Sequence, residues 1–122
     1  MNQDQFLEKV KKVADRDTSF DPNNWSPDNS LWGHCVVVSL LAQDYFGGDL
    51  IRGSLENFPE FYHLRSHYWN KFSDGKEVDF TGEQFGKSLH ISNSEVRARE
   101  NVLFSPDTQK RYSLLRSRFE GV

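Results

Sequence analysis

One apolar segment, residues 35–46, limits what this chain can fold into more than any other feature. It reads CVVVSLLAQDYF and is followed at once by Gly47 and Gly48. Paired glycines are a typical stop for a helix, and a run this apolar must be buried over most of its surface. The valines at 36–38 suit a strand equally well, but the length and the Ala-Gln-Asp stretch favour a helix. We therefore predict a largely buried helix over residues 35–46.

The segments after this helix predict an antiparallel sheet of three or four strands. Residues 49–55 (DLIRGSL) indicate a short strand, and residues 61–72 (FYHLRSHYWNKF) indicate a longer, aromatic-rich one. Ser73-Asp74-Gly75 is a turn signal, after which residues 76–80 (KEVDF) return as the partner strand. A further edge strand is predicted around residues 102–104.

Helices are expected at both ends of the chain. Apolar residues at helical spacing predict an amphipathic helix near residues 4–15, and Ser105-Pro106-Asp107 has the composition of a helix start. Between them, residues 17–30 are predicted to be a loop, and Thr81–Gln84 has the spacing of a short helix start. The inward-facing residues are Phe6, Val10 and Val13 in the first helix and Tyr112, Leu115 and Phe119 in the last.

These elements predict an α+β fold in which a central buried helix packs on a small antiparallel sheet, flanked by N- and C-terminal helices. A length of 122 residues is the usual size of one domain, so residues 1–122 are predicted to form a single domain. Aromatic residues make up 14% of the chain, and their large side chains supply buried area that a disordered chain lacks.

Several classes of protein are excluded by what the chain contains. Cys35 is its single cysteine, so neither an intramolecular disulfide framework nor a cysteine-rich zinc site can form. His63 shares the parity of His67 in the predicted long strand, but no third strong ligand beyond Cys35 accompanies them, so we expect no metal and no cofactor. Without a secretory signal, a spanning apolar run or a basic stripe interleaved with aromatics, a cytoplasmic protein that binds neither membrane nor nucleic acid is expected.

Cys35 is a candidate nucleophile because of its place at the start of the predicted buried helix. There the helix dipole and the free backbone N–H groups stabilise the thiolate, which is the reactive form of cysteine. The same N–H groups can hold the oxygen of a tetrahedral intermediate. The simpler alternative is a small buried core residue.

His67 and Asp79 lie on the two arms of the predicted hairpin. If the loop has three residues, with Gly75 left-handed, Trp69 pairs with Asp79 and His67 becomes the diagonal neighbour of Asp79 on the same face. A two-residue loop would shift the pairing by one and place them on opposite faces. In the first register Asp79 can orient the imidazole; in the second, both residues are merely structural.

Several motifs in fixed order resemble the YunG-like family of small uncharacterised bacterial proteins. The similarity covers roughly residues 24–85, and the C-terminal DTQKRYSLLRSRF resembles the family's ending. More distantly, Cys at a helix start, then His-x-Trp, then Asp-x-Thr resembles papain-like and transglutaminase-like cysteine enzymes. That resemblance implies a papain/transglutaminase-like fold, with Cys35 as nucleophile, His67 as general base and acid, and Asp79 as orienting carboxylate. The family motifs are WGHC (32–35), QDYFGG (43–48), SHYWN (66–70), DG (74–75) and EVDFTGEQF (77–85).

Four other residues are candidates for binding substrate or an oxyanion. The family carries Gln before its cysteine, where this chain has His34, so the oxyanion donor must be the backbone or another group. Asn29 lies six residues ahead of Cys35, where papain-like enzymes place an amide donor, although it is equally ordinary as a turn residue. Trp32 and Trp69 can line a cleft or simply pack in the core. Residues 56–65 are extra length that can form a lip over the site.

The function expected from these residues is acyl transfer through a thioester. This covers amide or ester hydrolysis, deamidation and transamidation on a peptide, a protein or a small amide or ester. One alternative is a binding or interaction module on the same scaffold without catalysis, whose sign would be a fully buried Cys35 far from His67. A second alternative is a toxin-like effector that uses the same cysteine chemistry.

Overall fold

The central helix is present in the computed structural model, which describes residues 1–121. Helix α2 spans Cys35–Phe46 and ends at Gly47, whose φ of 73° is a conformation that glycine adopts without strain. Residues 37–42 are buried without interruption. The prediction of a helix enclosed on most of its surface is therefore confirmed.

The sheet has four antiparallel strands in the order β3-β2-β1-β4. The strands are β1 Asp49–Ser54, β2 Ser66–Lys71, β3 Glu77–Val78 and β4 Ser94–Arg97. Strand β2 packs on α2, where the Asn70 side-chain amide donates to the Ser39 carbonyl at 3.0 Å. The central helix and the strand that carries His67 are thereby held together.

Helices at both ends of the chain complete the core. Helix α1 spans Gln3–Val13, a short helix α3 spans Arg99–Val102, and α4 spans Pro106–Glu120. The Ser105 hydroxyl caps α4 by accepting from the Thr108 N–H. The expected inward residues of α4 are buried, as are Phe6 and Val10 of α1. The α+β fold with flanking helices is therefore confirmed, and none of the helices within residues 1–121 is long and apolar enough to cross a membrane.

The predicted long strand over residues 61–72 is wrong in its first half. Residues Pro59–Leu64 form a 3-10 helix, and β2 begins only at Ser66. Proline at the first helical position favours the 3-10 helix, and Arg65, whose φ is 69°, ends it. His63 consequently does not share a strand with His67.

The predicted edge strand at residues 102–104 is also wrong. The edge strand is β4, and α3 follows it directly. The sequence of β4, SEVR, carries no strand pattern. Its Val96 is 61% exposed, so the strand has no apolar face. The predicted helix start at Thr81 is a 3-10 turn, Gly82–Phe85, in which Thr81 makes no side-chain capping bond.

Candidate active site

The hairpin that carries His67 and Asp79 has the register expected of a three-residue loop. The Phe72 N–H donates to the Lys76 carbonyl at 2.9 Å, and Asn70 pairs with Val78. Gly75 has a φ of 85°, which closes the loop. This register puts Asp79 one residue beyond β3, diagonal to His67.

The imidazole of His67 is held at its Nε2 atom by the carboxylate of Asp79. Nε2 lies 2.7 Å from Oδ2, and only 2% of the His67 surface is exposed. The Phe85 ring meets the imidazole edge-on, with centroids 4.9 Å apart. Because a carboxylate accepts, Nε2 carries the hydrogen, so Nδ1 is the nitrogen left to face a nucleophile.

Cys35 is half-buried at the first position of α2, beside this imidazole. Its side chain lies near enough to the imidazole to raise the pKa of His67. Nδ1 of His67 is buried and makes no close, well-aligned hydrogen bond with any atom of residues 1–121. The contact between sulfur and imidazole is therefore loose, as is common for catalytic pairs in the absence of substrate.

The surroundings of His67 favour its protonated form. Burial on its own lowers the pKa of the imidazole, but the hydrogen bond to Asp79 and the hydrogen bond and charge of Cys35 outweigh it. Together they raise the pKa of His67 from 6.5 to about 9. The imidazole is thus an imidazolium at neutral pH.

The raised pKa of His67 predicts that the protein loses stability in alkali. The folded state holds this proton to about pH 9 and the unfolded chain only to 6.5, so a stabilisation of about 3 kcal/mol is complete below pH 6.5 and is lost as pH rises through about 9. We expect the free energy of unfolding, measured in urea, to fall over this range in the wild type and to fall less in His67→Gln. The same pH dependence in both proteins would contradict the assignment.

His34, a candidate oxyanion donor, is fully buried, and both of its ring nitrogens are hydrogen-bonded. Its Nδ1 donates to the Trp32 carbonyl at 2.9 Å, so its Nε2 accepts from the Thr18 hydroxyl at 2.6 Å. Burial, aided by the charge of Arg111, lowers the pKa of His34 to about 4. In this structure His34 fastens the start of α2 to residues 15–18.

The lowered pKa of His34 predicts a loss of stability in acid. The unfolded chain takes up this proton below pH 6.5 and the folded protein only near pH 4, so about 3 kcal/mol is present above pH 6.5 and is lost as pH falls through about 4. We expect a shallower decline between these pH values in His34→Gln than in the wild type, measured by urea unfolding. The slope is the test, because the substitution itself changes the absolute stability.

Asn29, the second expected donor, connects two loops. Its side-chain amide donates to the Gln84 carbonyl at 2.9 Å, and the Gln84 side-chain oxygen accepts from the Gly33 N–H at 3.0 Å. These bonds tie the loop before Cys35 to the segment after Asp79. Gln84 is buried and was missed in the sequence, where its spacing from Thr81 indicated only the start of a helix.

The two candidate tryptophans, Trp32 and Trp69, have different surroundings. Trp32 packs among Phe61, His63 and Phe85, and its indole N–H donates to Asp21 at 3.0 Å. Trp69 lies 5.8 Å from the imidazole between ring centroids and donates to Glu77 at 2.7 Å. Trp69 therefore lines the site directly, whereas Trp32 supports the 3-10 segment that forms part of the expected lip.

Two cavities meet the Cys35–His67 pair, and Phe85 forms a wall of both. The larger, about 650 Å³, is lined by His67, Asp79 and Trp69 and lies within the size range of small-molecule sites. The smaller, about 170 Å³, is lined by Cys35. The sulfur and the imidazole thus open onto different sides of the site.

The first N–H groups of α2 are free to stabilise negative charge beside the sulfur. The helix ladder begins with the Val38 N–H donating to the His34 carbonyl at 2.9 Å. The N–H groups of Cys35 and Val36 have no hydrogen-bond partner in the part of the chain that the structure describes. Together with the positive end of the helix dipole they can act as oxyanion donors without a glutamine ahead of the cysteine.

Gly82 leaves room for the Asp79 carboxylate. A Cβ atom at this position would lie 2.8 Å from Asp79 Oδ2, the oxygen that binds His67. We expect Gly82→Ala to push the carboxylate away and to slow reaction of Cys35 with iodoacetamide about tenfold. Gly86→Ala is the matched control, since it costs stability through a φ of 70° but meets no atom within 4 Å. Equal labelling rates in the two variants would contradict the positioning role.

No group of three or more His, Cys, Asp or Glu within residues 1–121 is arranged to hold a metal ion. His63 is bonded to Asp21 at 3.1 Å. His63 therefore makes a surface contact, whereas His67 lies in the buried site, and the two histidines do not form a pair.

Comparison with known proteins extends over nearly the whole chain. The family model described as YunG protein matches residues 2–122. A protein of Bacillus subtilis (strain 168), described as "Uncharacterized protein YunG", is 27% identical over 117 residues, which cover 93% of this chain and 90% of the relative. No solved structure matches the chain.

Proposed function

The chain belongs to the YunG family, and from the geometry of its site we propose that it is a cysteine-dependent acyl-transfer enzyme. The observation that carries the proposal is the buried imidazole of His67, whose Nε2 is held by the Asp79 carboxylate and whose Nδ1 has no hydrogen-bond partner within residues 1–121, with Cys35 near enough to raise its pKa. A purely structural histidine gains nothing from an unpartnered buried nitrogen. A general base beside a thiol, in contrast, needs a ring nitrogen that is free to take the thiol proton.

The elements that carry these groups support the finer fold proposal as well. Cys35 begins the central helix, His67 lies on β2 and Asp79 follows the next strand. This order and this packing of a helix on an antiparallel sheet are those expected of a papain/transglutaminase-like scaffold. A module without catalysis would bury Cys35 far from His67, whereas Cys35 is half-buried beside it.

In the proposed reaction the thiolate of Cys35 attacks the carbonyl carbon of an amide or ester, after His67 Nδ1 has taken the thiol proton. The carbonyl oxygen becomes an oxyanion near the N–H groups of Cys35 and Val36. The His67 imidazolium then gives its proton to the leaving amine or alcohol, and a thioester remains on Cys35. Water or an amine, deprotonated by His67, attacks the thioester and frees the thiol. Asp79 holds the imidazole throughout.

The proposal is tested with p-nitrophenyl acetate and p-nitrophenyl butyrate. We expect a rapid release of one equivalent of nitrophenol and an acyl group on Cys35 that hydroxylamine removes, both followed by intact mass and peptide mapping. In Cys35→Ser the release should be slow and any adduct an oxygen ester that resists hydroxylamine. Absence of any Cys35 adduct from either ester, in a folded protein whose Cys35 reacts with iodoacetamide, would overturn the proposal.

A further inference from the structure

The small cavity beside Cys35 is lined by positively charged side chains, which an ordinary apolar pocket is not. At about 170 Å³ it is smaller than sites that hold whole small-molecule ligands, so its size suits one side chain or one short acyl chain. Phe20, Val36, Leu64 and Phe85 form apolar walls around it. Two arginines, Arg65 and Arg111, are among its other lining residues, and no carboxylate is among the described residues that line it.

Arg111 is a buried cation fixed in place. It is 5% exposed; its Nε donates to Asp107 at 2.9 Å and its Nη1 to the Thr18 carbonyl at 3.3 Å, while Phe20 lies against the guanidinium plane. Nη2 makes no hydrogen bond with the residues that the structure describes. A buried guanidinium held at two nitrogens presents its remaining donors in a fixed direction, as carboxylate recognition requires.

Arg65 stands at the rim of the same cavity with a strained backbone. Its φ and ψ of 69° and −51° make it the one residue other than glycine, within residues 1–121, that has a positive φ. Its guanidinium forms no ion pair or hydrogen bond there, so no contact of the side chain within the fold accounts for an arginine where glycine fits better. The backbone of Arg65 serves the fold, since its N–H donates to the Tyr62 carbonyl and its carbonyl accepts from the Leu55 N–H, but its guanidinium is left available to a ligand.

We propose that this cavity binds the acyl part of the substrate and that this part carries a carboxylate, recognised by Arg111 and Arg65. The inference rests on the proposed function, because it assigns the substrate class of the same site. The other cavity is lined by three carboxylates, Glu77, Asp79 and Glu83, although Lys87 and two histidines line it too. The carboxylate thus belongs on the Cys35 side of the imidazole, and the leaving or accepting amine belongs on the His67 side.

The first test compares two alkylating reagents of similar size, anionic iodoacetate and neutral iodoacetamide. Each forms a bond between sulfur and carbon and releases iodide, so neither requires acyl transfer. We expect the ratio of the iodoacetate rate to the iodoacetamide rate to fall about threefold in Arg65→Gln and in Arg65→Gly, and about tenfold in Arg111→Gln. Arg65→Gly also relieves the positive φ, so it keeps the test valid where Arg111→Gln fails to fold.

Lys12→Gln, which removes an exposed positive charge from α1, is the matched control and should leave the ratio unchanged. A ratio that is unaffected by both Arg65 variants, or that falls equally in the lysine control, would overturn the proposal.

The second test compares the p-nitrophenyl monoester of glutaric acid with p-nitrophenyl valerate in the wild type. We expect the ratio of the Cys35 acylation rate with the carboxylate ester to the rate with the valerate ester to be about threefold higher in the wild type than in Arg65→Gly. An equal ratio in both proteins would count against the cavity.

The two tests separate this inference from the proposed function. If neither ester acylates Cys35 but the reagent ratio still depends on the arginines, the anion site stands and the acyl-transfer function fails. If both esters acylate Cys35 and neither ratio depends on the arginines, the function stands and the substrate class is wrong.

Discussion

Replacement of Cys35 by alanine is expected to lower acyl transfer about 10⁴-fold or more. The reason is that Cys35 is the proposed nucleophile and that, within residues 1–121, it is the single thiol, so the covalent route through a thioester is lost. The measurement is nitrophenol release under single-turnover conditions. Because Cys35 is half-buried and small, we expect the free energy of unfolding to change by about 1 kcal/mol or less.

The same variant provides a readout that does not depend on a substrate. The hydrogen bond and charge of Cys35 raise the pKa of His67 in the wild type, so the pKa should fall in Cys35→Ala. Titration of the His67 ring by NMR measures this directly, and His63, which is bonded to Asp21 on the surface, serves as an internal reference. An unchanged His67 titration would show that the sulfur and the imidazole do not interact.

Replacement of His67 by alanine is the second change with a large expected effect. Loss of the general base and acid is expected to slow acylation of Cys35 by about 10²–10⁴-fold. The pH profile should change as well. With an amide substrate, wild-type activity should fall as pH rises through about 9, because the imidazolium that protonates the leaving amine then loses its proton.

In His67→Ala this alkaline decline should disappear, and the remaining rate should rise with pH as the thiol ionises unaided. Asp79→Asn is the informative companion, since it keeps a hydrogen-bond acceptor near Nε2 but removes the charge that helps to raise the His67 pKa. We expect its alkaline decline to move to lower pH with a smaller loss of rate. An alkaline decline that persists in His67→Ala would contradict the assignment of His67.

Patterns that depend on local chemistry were sufficient to predict much of this fold. The central helix over residues 35–46, the glycine that ends it and the serine that starts α4 all follow from burial and capping. The turn at residues 73–75 was recognised and left two hairpin registers open, of which the structure has the one with a three-residue loop and Gly75 left-handed. These features need no information from distant parts of the chain.

The features that sequence reasoning missed depend on tertiary contacts. Strand β4 is held by its pairing with β1 rather than by an apolar face of its own, so its residues carry no strand pattern. The first half of the predicted long strand forms a 3-10 helix that packs on Trp32 and Phe85, aromatics from two other segments. Local propensity cannot anticipate either partner.

The candidate site divides in the same way. Cys35, His67 and Asp79 could be brought together from a helix start and one hairpin register. Gln84 and Gly82 could not, because one acts through hydrogen bonds to a loop about fifty residues earlier in the chain and the other through the space that it leaves empty. The contacts of His34 could not be foreseen, because its position beside Cys35 says nothing about the Thr18 hydroxyl that it meets in the fold.

The central claim is that Cys35 and His67 form a thiolate–imidazolium pair. The most direct measurement is the rate at which iodoacetamide alkylates Cys35 from about pH 5 to pH 10, in the wild type and in His67→Ala. If the pair forms, labelling should already be fast below pH 7 in the wild type. In His67→Ala labelling should be slower and should rise only near pH 8.5, the ordinary pKa of a free thiol. Labelling that rises only near pH 8.5 in both proteins, at the same rate, would contradict it.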